Sequence, residues 1–190
     1  MIRLRVPTAE AMEQLGARLA ALLDAGDLVV LEGPLGAGKT TFVRGLGAAL
    51  AARGTIASPT FVLAREHPTA RGIPLVHVDA YRLSSARELD DLDLDFERSI
   101  VVVEWGAGKL DGVADSWIDV VIARPATGEV RDVTLLTHGP RWATIDVAYL
   151  VSPEPNAASP EIAAENPGIA GRGGSGTPEA PEKRTPGRRK

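Results

Sequence analysis

The stretch that most constrains this chain is Gly33-Pro34-Leu35-Gly36-Ala37-Gly38-Lys39-Thr40, which meets the spacing G-x-x-x-x-G-K-[ST] at every fixed position. It follows the apolar run Leu28–Leu31, the signature of a strand buried on both faces, and leads into a helical pattern from about Lys39 to Ala52. Glycine lets the main chain adopt conformations other residues resist, so successive N–H groups can turn inward on an anion. The N-terminal end of the next helix adds partial positive charge at the same place. Gly36, Ala37 and Gly38 would supply the main-chain cradle, and Lys39 a point charge for the β- and γ-phosphates. Thr40 offers a hydroxyl to Mg²⁺, and Thr41 another toward the α-phosphate.

Around this loop the first 150 residues alternate strands and helices. Ile2–Val6 reads as a short strand, and Thr8 as the N-cap of a helix over Ala9–Asp24 with Met12, Leu15, Leu19 and Leu22/Leu23 on one stripe. Phe61–Glu66, Leu75–Val78 and Ile100–Val103 read as strands, and Ser84–Leu92 as a helix. Trp117–Ala123 and Val130–Thr137 form a late, antiparallel pair across Thr127-Gly128. The pattern predicts an α/β, P-loop nucleotide-binding fold with a mixed central sheet flanked by helices.

A domain boundary falls near Leu150. Residues 151–190 hold 7 Pro and 6 Gly and no aromatic residue, too little apolar surface to offset the entropy of ordering. They are expected to form a disordered tail, and the five basic residues in Lys183–Lys190 read as its solvated end. Residues 1–150 hold 15 Lys/Arg against 20 Asp/Glu, a poor platform for gripping a nucleic-acid backbone unaided. The absence of cysteine excludes disulfides and thiolate metal sites. Met1–Val6 lacks the long apolar stretch of a signal peptide, and no apolar run is long enough to span a bilayer. These features fit a cytoplasmic protein with no membrane partner.

A nucleotide loop of this kind needs an acid at the end of a neighbouring strand. Two runs end that way: Leu75–Val78 in Asp79, and Ile100–Val103 in Glu104. Glu104, after the more apolar strand, is the candidate for metal contact, and Asp79 for ordering or polarising the attacking water. Trp105 reads either as a packed aromatic or as a stacking partner near the nucleotide, and His67, His77 and His138 have no ligand-like spacing, which points to core or surface roles. The acidic, leucine-bearing stretch Glu88–Glu97 reads as a solvated helix end. The only asparagines are Asn156 and Asn166, so an Asn-Lys-x-Asp guanine reader is absent from the domain and ATP is the expected nucleotide. A small-metabolite kinase shares such a loop and is the alternative, although the arginines are scattered rather than gathered into a lid. A module in which ATP occupancy merely gates docking is a third reading.

Four motifs in order then carry a resemblance: Leu31–Gly45 (LEGPLGAGKTTFVRG), Ser58-Pro59-Thr60-Phe61, His77-Val78-Asp79-Ala80-Tyr81-Arg82-Leu83, and Val103-Glu104-Trp105-Gly106. With them, residues 1–143 resemble the bacterial TsaE (YjeE) ATPases. The resemblance implies a small ATP hydrolase, slow without its partners, needed for threonylcarbamoyl modification of the tRNA adenosine beside the anticodon. It implies action with TsaD and TsaB, ATP hydrolysis resetting the assembly, and tRNA met only through those partners. It further implies that residues 36–41 bind the triphosphate, with Lys39, Asp79 and Glu104 catalytic and Thr40 with Glu104 ligating Mg²⁺. Ser58–Phe61 would form a switch near the γ-phosphate, with Thr60 its polar contact, and Asp79 would sit in a second. Thr8, Ala9 and Arg131 would also touch the nucleotide. Pro34 departs from the Asp common at that position, and its missing N–H predicts a stiffer loop entrance.

Overall fold

The computed structural model describes residues 1–151 apart from 86, 89, 90, 111, 126 and 127. Seven strands form one sheet: β1 (Ile2–Val6), β2 (Leu28–Glu32), β3 (Ala64–His67), β4 (Leu75–Asp79), β5 (Ile100–Glu104), β6 (Trp117–Ala123) and β7 (Arg131–His138). Their order is β1-β7-β6-β2-β5-β4-β3. The pairs β6–β2, β2–β5 and β5–β4 are parallel, while β3 at one edge and β7 and β1 at the other run antiparallel. The mixed sheet expected from the pattern is therefore present, with the most apolar strands at its centre.

Helices α1 (Ala9–Ala20) and α2 (Lys39–Ala49) cover one face. Their stripes of Met12, Leu15 and Leu19, and of Phe42, Val43 and Leu46, pack on Val29, Leu31, Val102, Ile118 and Val120. The opposite face of the central strands packs Val30, Val76, Val78, Val101 and Val103 under Leu83, Leu94, Phe96, Leu110 and Val113. The two helices meet at glycines. A Cβ at Gly16 would strike the Phe42 carbonyl oxygen, and one at Gly45 the Glu13 carbonyl oxygen, so main chain lies against main chain. That close approach sets the start of α1 beside the loop that precedes α2.

Several boundaries differ from the sequence reading. Helix α1 ends at Ala20, because Leu22 and Leu23 donate to carbonyls three residues back, a tighter turn than the α-helix. Helix α2 stops at Ala49, and Ala51 turns to φ 50°. The strand expected from Phe61 begins only at Ala64: the N–H groups of Val62 and Leu63 both donate to the Pro59 carbonyl, and Leu63 has φ 66°. β7 is shifted one residue, and β4 and β5 each run on to include their acid. The expected helix over residues 84–92 falls partly outside the described residues, and the expected tail, 151–190, lies outside them except for Val151, which ends a short turn. A short helix α3 (Pro140–Ala143) and a 3₁₀ turn (Val147–Val151) close the described chain. Among the described residues no helix is long and apolar enough to cross a membrane.

Candidate functional site

Strands β2, β5 and β4 end side by side in Glu32, Glu104 and Asp79, and Asp79 and Glu104 are register partners. Along β4 the residues Leu75, His77 and Asp79 point to the α2 side, as do Ile100, Val102 and Glu104 along β5. The lower rungs are core, and the last rung is carboxylate. Since β2 stands between β5 and β6, the loop after β2 opens at the carboxyl ends of the parallel strands, where such sheets place ligands.

That loop is built on positive φ: 147° at Gly33, 73° at Gly36 and 116° at Gly38. Gly38 is also the N-cap of α2, and no side chain caps that helix, so its first N–H groups are left without a side-chain acceptor. Leu35, at the crest, is exposed.

Lys39 is buried, and its Nζ donates to the carbonyl oxygens of Gly33 at 2.8 Å and Pro34 at 3.3 Å. The same ammonium lies 3.5 Å from the centre of the Trp105 ring. Trp105 has φ 64°, a left-handed conformation rare for a bulky residue, and Tyr81 meets its ring edge-on at 5.3 Å. Burial holds the Lys39 ammonium below its ordinary pKa, and Glu104, Glu32 and Asp79 offset part of that.

Glu104 Oε1 accepts from the Thr40 hydroxyl at 2.9 Å and lies 2.9 Å from His77 Nε2. Asp79 is committed on both oxygens: Oδ2 accepts from Thr60 Oγ1 at 2.5 Å and Ser58 Oγ at 3.2 Å, and Oδ1 from the Tyr81 N–H at 3.0 Å. Through Asp79 the segment 58–61 is tied to the end of β4. Phe61, on that segment, is 93 % exposed.

Two cavities flank the loop and share Gly36, Ala37, Gly38 and Thr41. The inner one, about 250 Å³, adds Lys39, Thr40, Ser58, Thr60, Asp79, Glu104 and Trp105. The outer one, about 190 Å³, adds Thr8, Ala9, Met12, Glu129 and Arg131. Thr8 Oγ1 accepts from the Ala11 N–H at 3.1 Å, capping α1 as expected, and Arg131 Nε donates to the Ala37 carbonyl at 3.2 Å. Residues 36–41, Thr8, Ala9, Ser58, Thr60, Asp79, Glu104 and Arg131 thus each line one of the two cavities, whereas Pro59 and Phe61 of the expected switch line neither. The sequence reading gave His77 a core or surface role with no link to Glu104, and left Trp105 between packing and stacking near the nucleotide. The available signal for His77 was its place two residues before Asp79, which puts it on the same face of the strand.

The family model described as threonylcarbamoyl adenosine biosynthesis protein TsaE matches residues 6–132. A tRNA threonylcarbamoyladenosine biosynthesis protein TsaE from Streptomyces coelicolor is 54% identical over 146 residues, 73% of this chain and 99% of that protein. The protein of the same name from Mycobacterium tuberculosis is 48% identical over 139 residues, 68% of this chain and 83% of its own length. The crystal structure of Bacillus subtilis YdiB superposes with a TM-score of 0.60 at 28% identity, covering 73% of this chain and 86% of that one. With a family model spanning well over half its length and the mixed sheet in place, this chain belongs to the TsaE family.

Proposed function

We propose that the chain is a Mg²⁺-dependent ATP hydrolase that acts with TsaD and TsaB in threonylcarbamoyl modification of the tRNA adenosine beside the anticodon. The observation that carries the ATPase reading is the convergence of Lys39, Thr40, Asp79 and Glu104 on one cleft, with a second cavity sharing the glycine loop as its wall. A triphosphate would lie along residues 36–41, its terminal phosphates toward Lys39 and its nucleoside toward Thr8, Ala9 and Arg131. The named role of the relatives supports the tRNA modification.

The residues present fit both groups. Lys39 spends its hydrogen bonds on two main-chain oxygens, weak acceptors that a phosphate outcompetes. Among the described residues no group of three His, Cys, Asp or Glu is arranged to hold a metal ion, so a divalent cation here would be shared between Thr40, Glu104 and phosphate oxygens. When bound, Mg²⁺ supplies charge neutralisation across the phosphate oxygens. Thr40 keeps its hydroxyl proton on Glu104 while its oxygen remains free to ligate. Asp79 orders the water that attacks, and its hold on Ser58 and Thr60 makes the segment 58–61 responsive to what occupies the γ-phosphate position. The acidic domain leaves tRNA contact to the partners.

The test is Mg²⁺-dependent ADP release by the purified chain, alone and with the matching TsaB–TsaD pair. Slow turnover that rises with the pair and vanishes in Lys39→Ala establishes the reading. An unchanged rate and no complex would overturn it, and acceptor-dependent turnover would turn it toward a metabolite kinase.

A further inference from the structure

We propose that His77 is a positioning residue for Glu104, holding one carboxylate oxygen so that the other is presented to the cleft. The proposal deepens the reading above and rests on Glu104 facing the metal and terminal phosphates.

His77 is 0 % exposed, at the middle of β4, among the apolar residues beneath α2. Its Cα partner on β5 is Val102, so it lies diagonally from Glu104 on the same face, and its Nε2 is 2.9 Å from Oε1. Its other nitrogen, Nδ1, is buried with no hydrogen-bond partner among the described residues. A proton on Nδ1 would strand a buried donor, whereas a proton on Nε2 leaves only an unused lone pair. The packing therefore selects the tautomer in which Nε2–H donates to Glu104.

Oε1 then accepts twice, from Thr40 and from His77, and Oε2 makes no hydrogen bond among the described residues. The two donors come from different elements, the first turn of α2 and strand β4. The terminal torsion of a glutamate is broad, so a single donor leaves the carboxylate free to swivel. Two donors from separate directions fix its plane. A leucine at 77 would fill the same space without burying an imidazole, so the histidine is poorly explained by packing alone.

The experiment compares the full chain with His77→Leu and His77→Gln. Histidine-nitrogen NMR of the parent is expected to show the Nε2-protonated tautomer, and the Nδ1-protonated form would overturn the proposal outright. Binding of a non-hydrolysable ATP analogue in EDTA is expected to be equal in all three proteins. Mn²⁺ affinity of the analogue complex is expected to fall at least ~10-fold in His77→Leu and to return within ~3-fold of the parent in His77→Gln, whose amide offers a donor at similar reach. Parental Mn²⁺ affinity in His77→Leu, or no recovery in His77→Gln, overturns the positioning role. Thermal melting guards against misfolding; should His77→Leu not fold, the glutamine variant and the NMR decide. Failure of the parent itself to bind the analogue would instead sink the ATPase reading, an outcome readable apart from the others.

Discussion

The Thr40 hydroxyl donates to Glu104 Oε1 at 2.9 Å, joining the first turn of α2 to the last residue of β5. On the proposed reading, one residue thereby offers the metal an oxygen and fixes the acid beside it. Thr40→Val keeps the shape and removes both. We expect metal-free binding of ATP to persist while Mn²⁺ affinity of the complex falls about 10–100-fold, measured by electron paramagnetic resonance. Equal metal affinity in the valine variant would contradict the assignment.

Burial disfavours the protonated form of Lys39 in the unliganded protein. Its folded-state pKa lies below the unfolded value, so the charged form is disfavoured by folding, and the penalty applies while the side chain is protonated. Lys39→Met is expected to raise the Tm of the nucleotide-free protein at neutral pH, at about 2–4 °C for each kcal/mol recovered. The difference from the parent should shrink as pH rises through the lowered value, since the neutral amine is buried without that penalty. The same variant should lose about 10–100-fold in ATP affinity, one charge-assisted contact, by calorimetry.

Asp79 is a tie as well as an acid. Asp79→Ala strips the acceptor from Ser58, Thr60 and the Tyr81 N–H at once. Amide exchange around residues 58–63 and at Tyr81 is expected to speed up on the order of tenfold or more, while β2 and β5 stay protected. ATP turnover should disappear with ATP binding retained. Unchanged exchange in the segment would show that its other bonds hold it: those of Val62 and Leu63 to Pro59, of the residue-79 N–H to Leu63, and of Arg82 to the Thr60 carbonyl.

The glycine crossing sets a geometric limit. Gly45→Ala forces a methyl group onto the Glu13 main chain, and two helix backbones must part to admit it. Such overpacking costs roughly 1–3 kcal/mol, and the melt should fall accordingly. Because the crossing also places Thr8 and Met12 beside Gly38, ATP affinity should weaken even though residue 45 lines neither cavity.

Much of the site is legible in the sequence because its signals are local. A short, largely apolar run ended by a carboxylate marks both Asp79 and Glu104, and the glycine spacing marks residues 33–40. The mixed sheet follows from apolar central strands and alternating late ones. What escapes the sequence is what depends on partners far along the chain. His77 looks like an interruption in a core strand until β5 brings Glu104 beside it. The left-handed Trp105 cannot be read from residue type, since it is imposed by the Leu31 carbonyl accepting its N–H and by Lys39 beneath its ring. The early start predicted for β3 fails because strand propensity at Phe61–Leu63 is overridden by the Pro59 turn.

Among the described residues β1 pairs only with β7, Ile2 against Leu135 and Val6 against Arg131, and these partners are synthesised almost a whole domain apart. Contacts so distant along the chain are slow to form. Yet β1 leads directly into Thr8 and α1, a wall of the outer cavity, and Arg131 supplies the wall opposite. On the ribosome, the loop and central strands emerge long before that second wall exists. A nascent chain would thus present the glycine loop well ahead of the second wall of the cavity beside it, so that cavity is completed only when translation has reached β7.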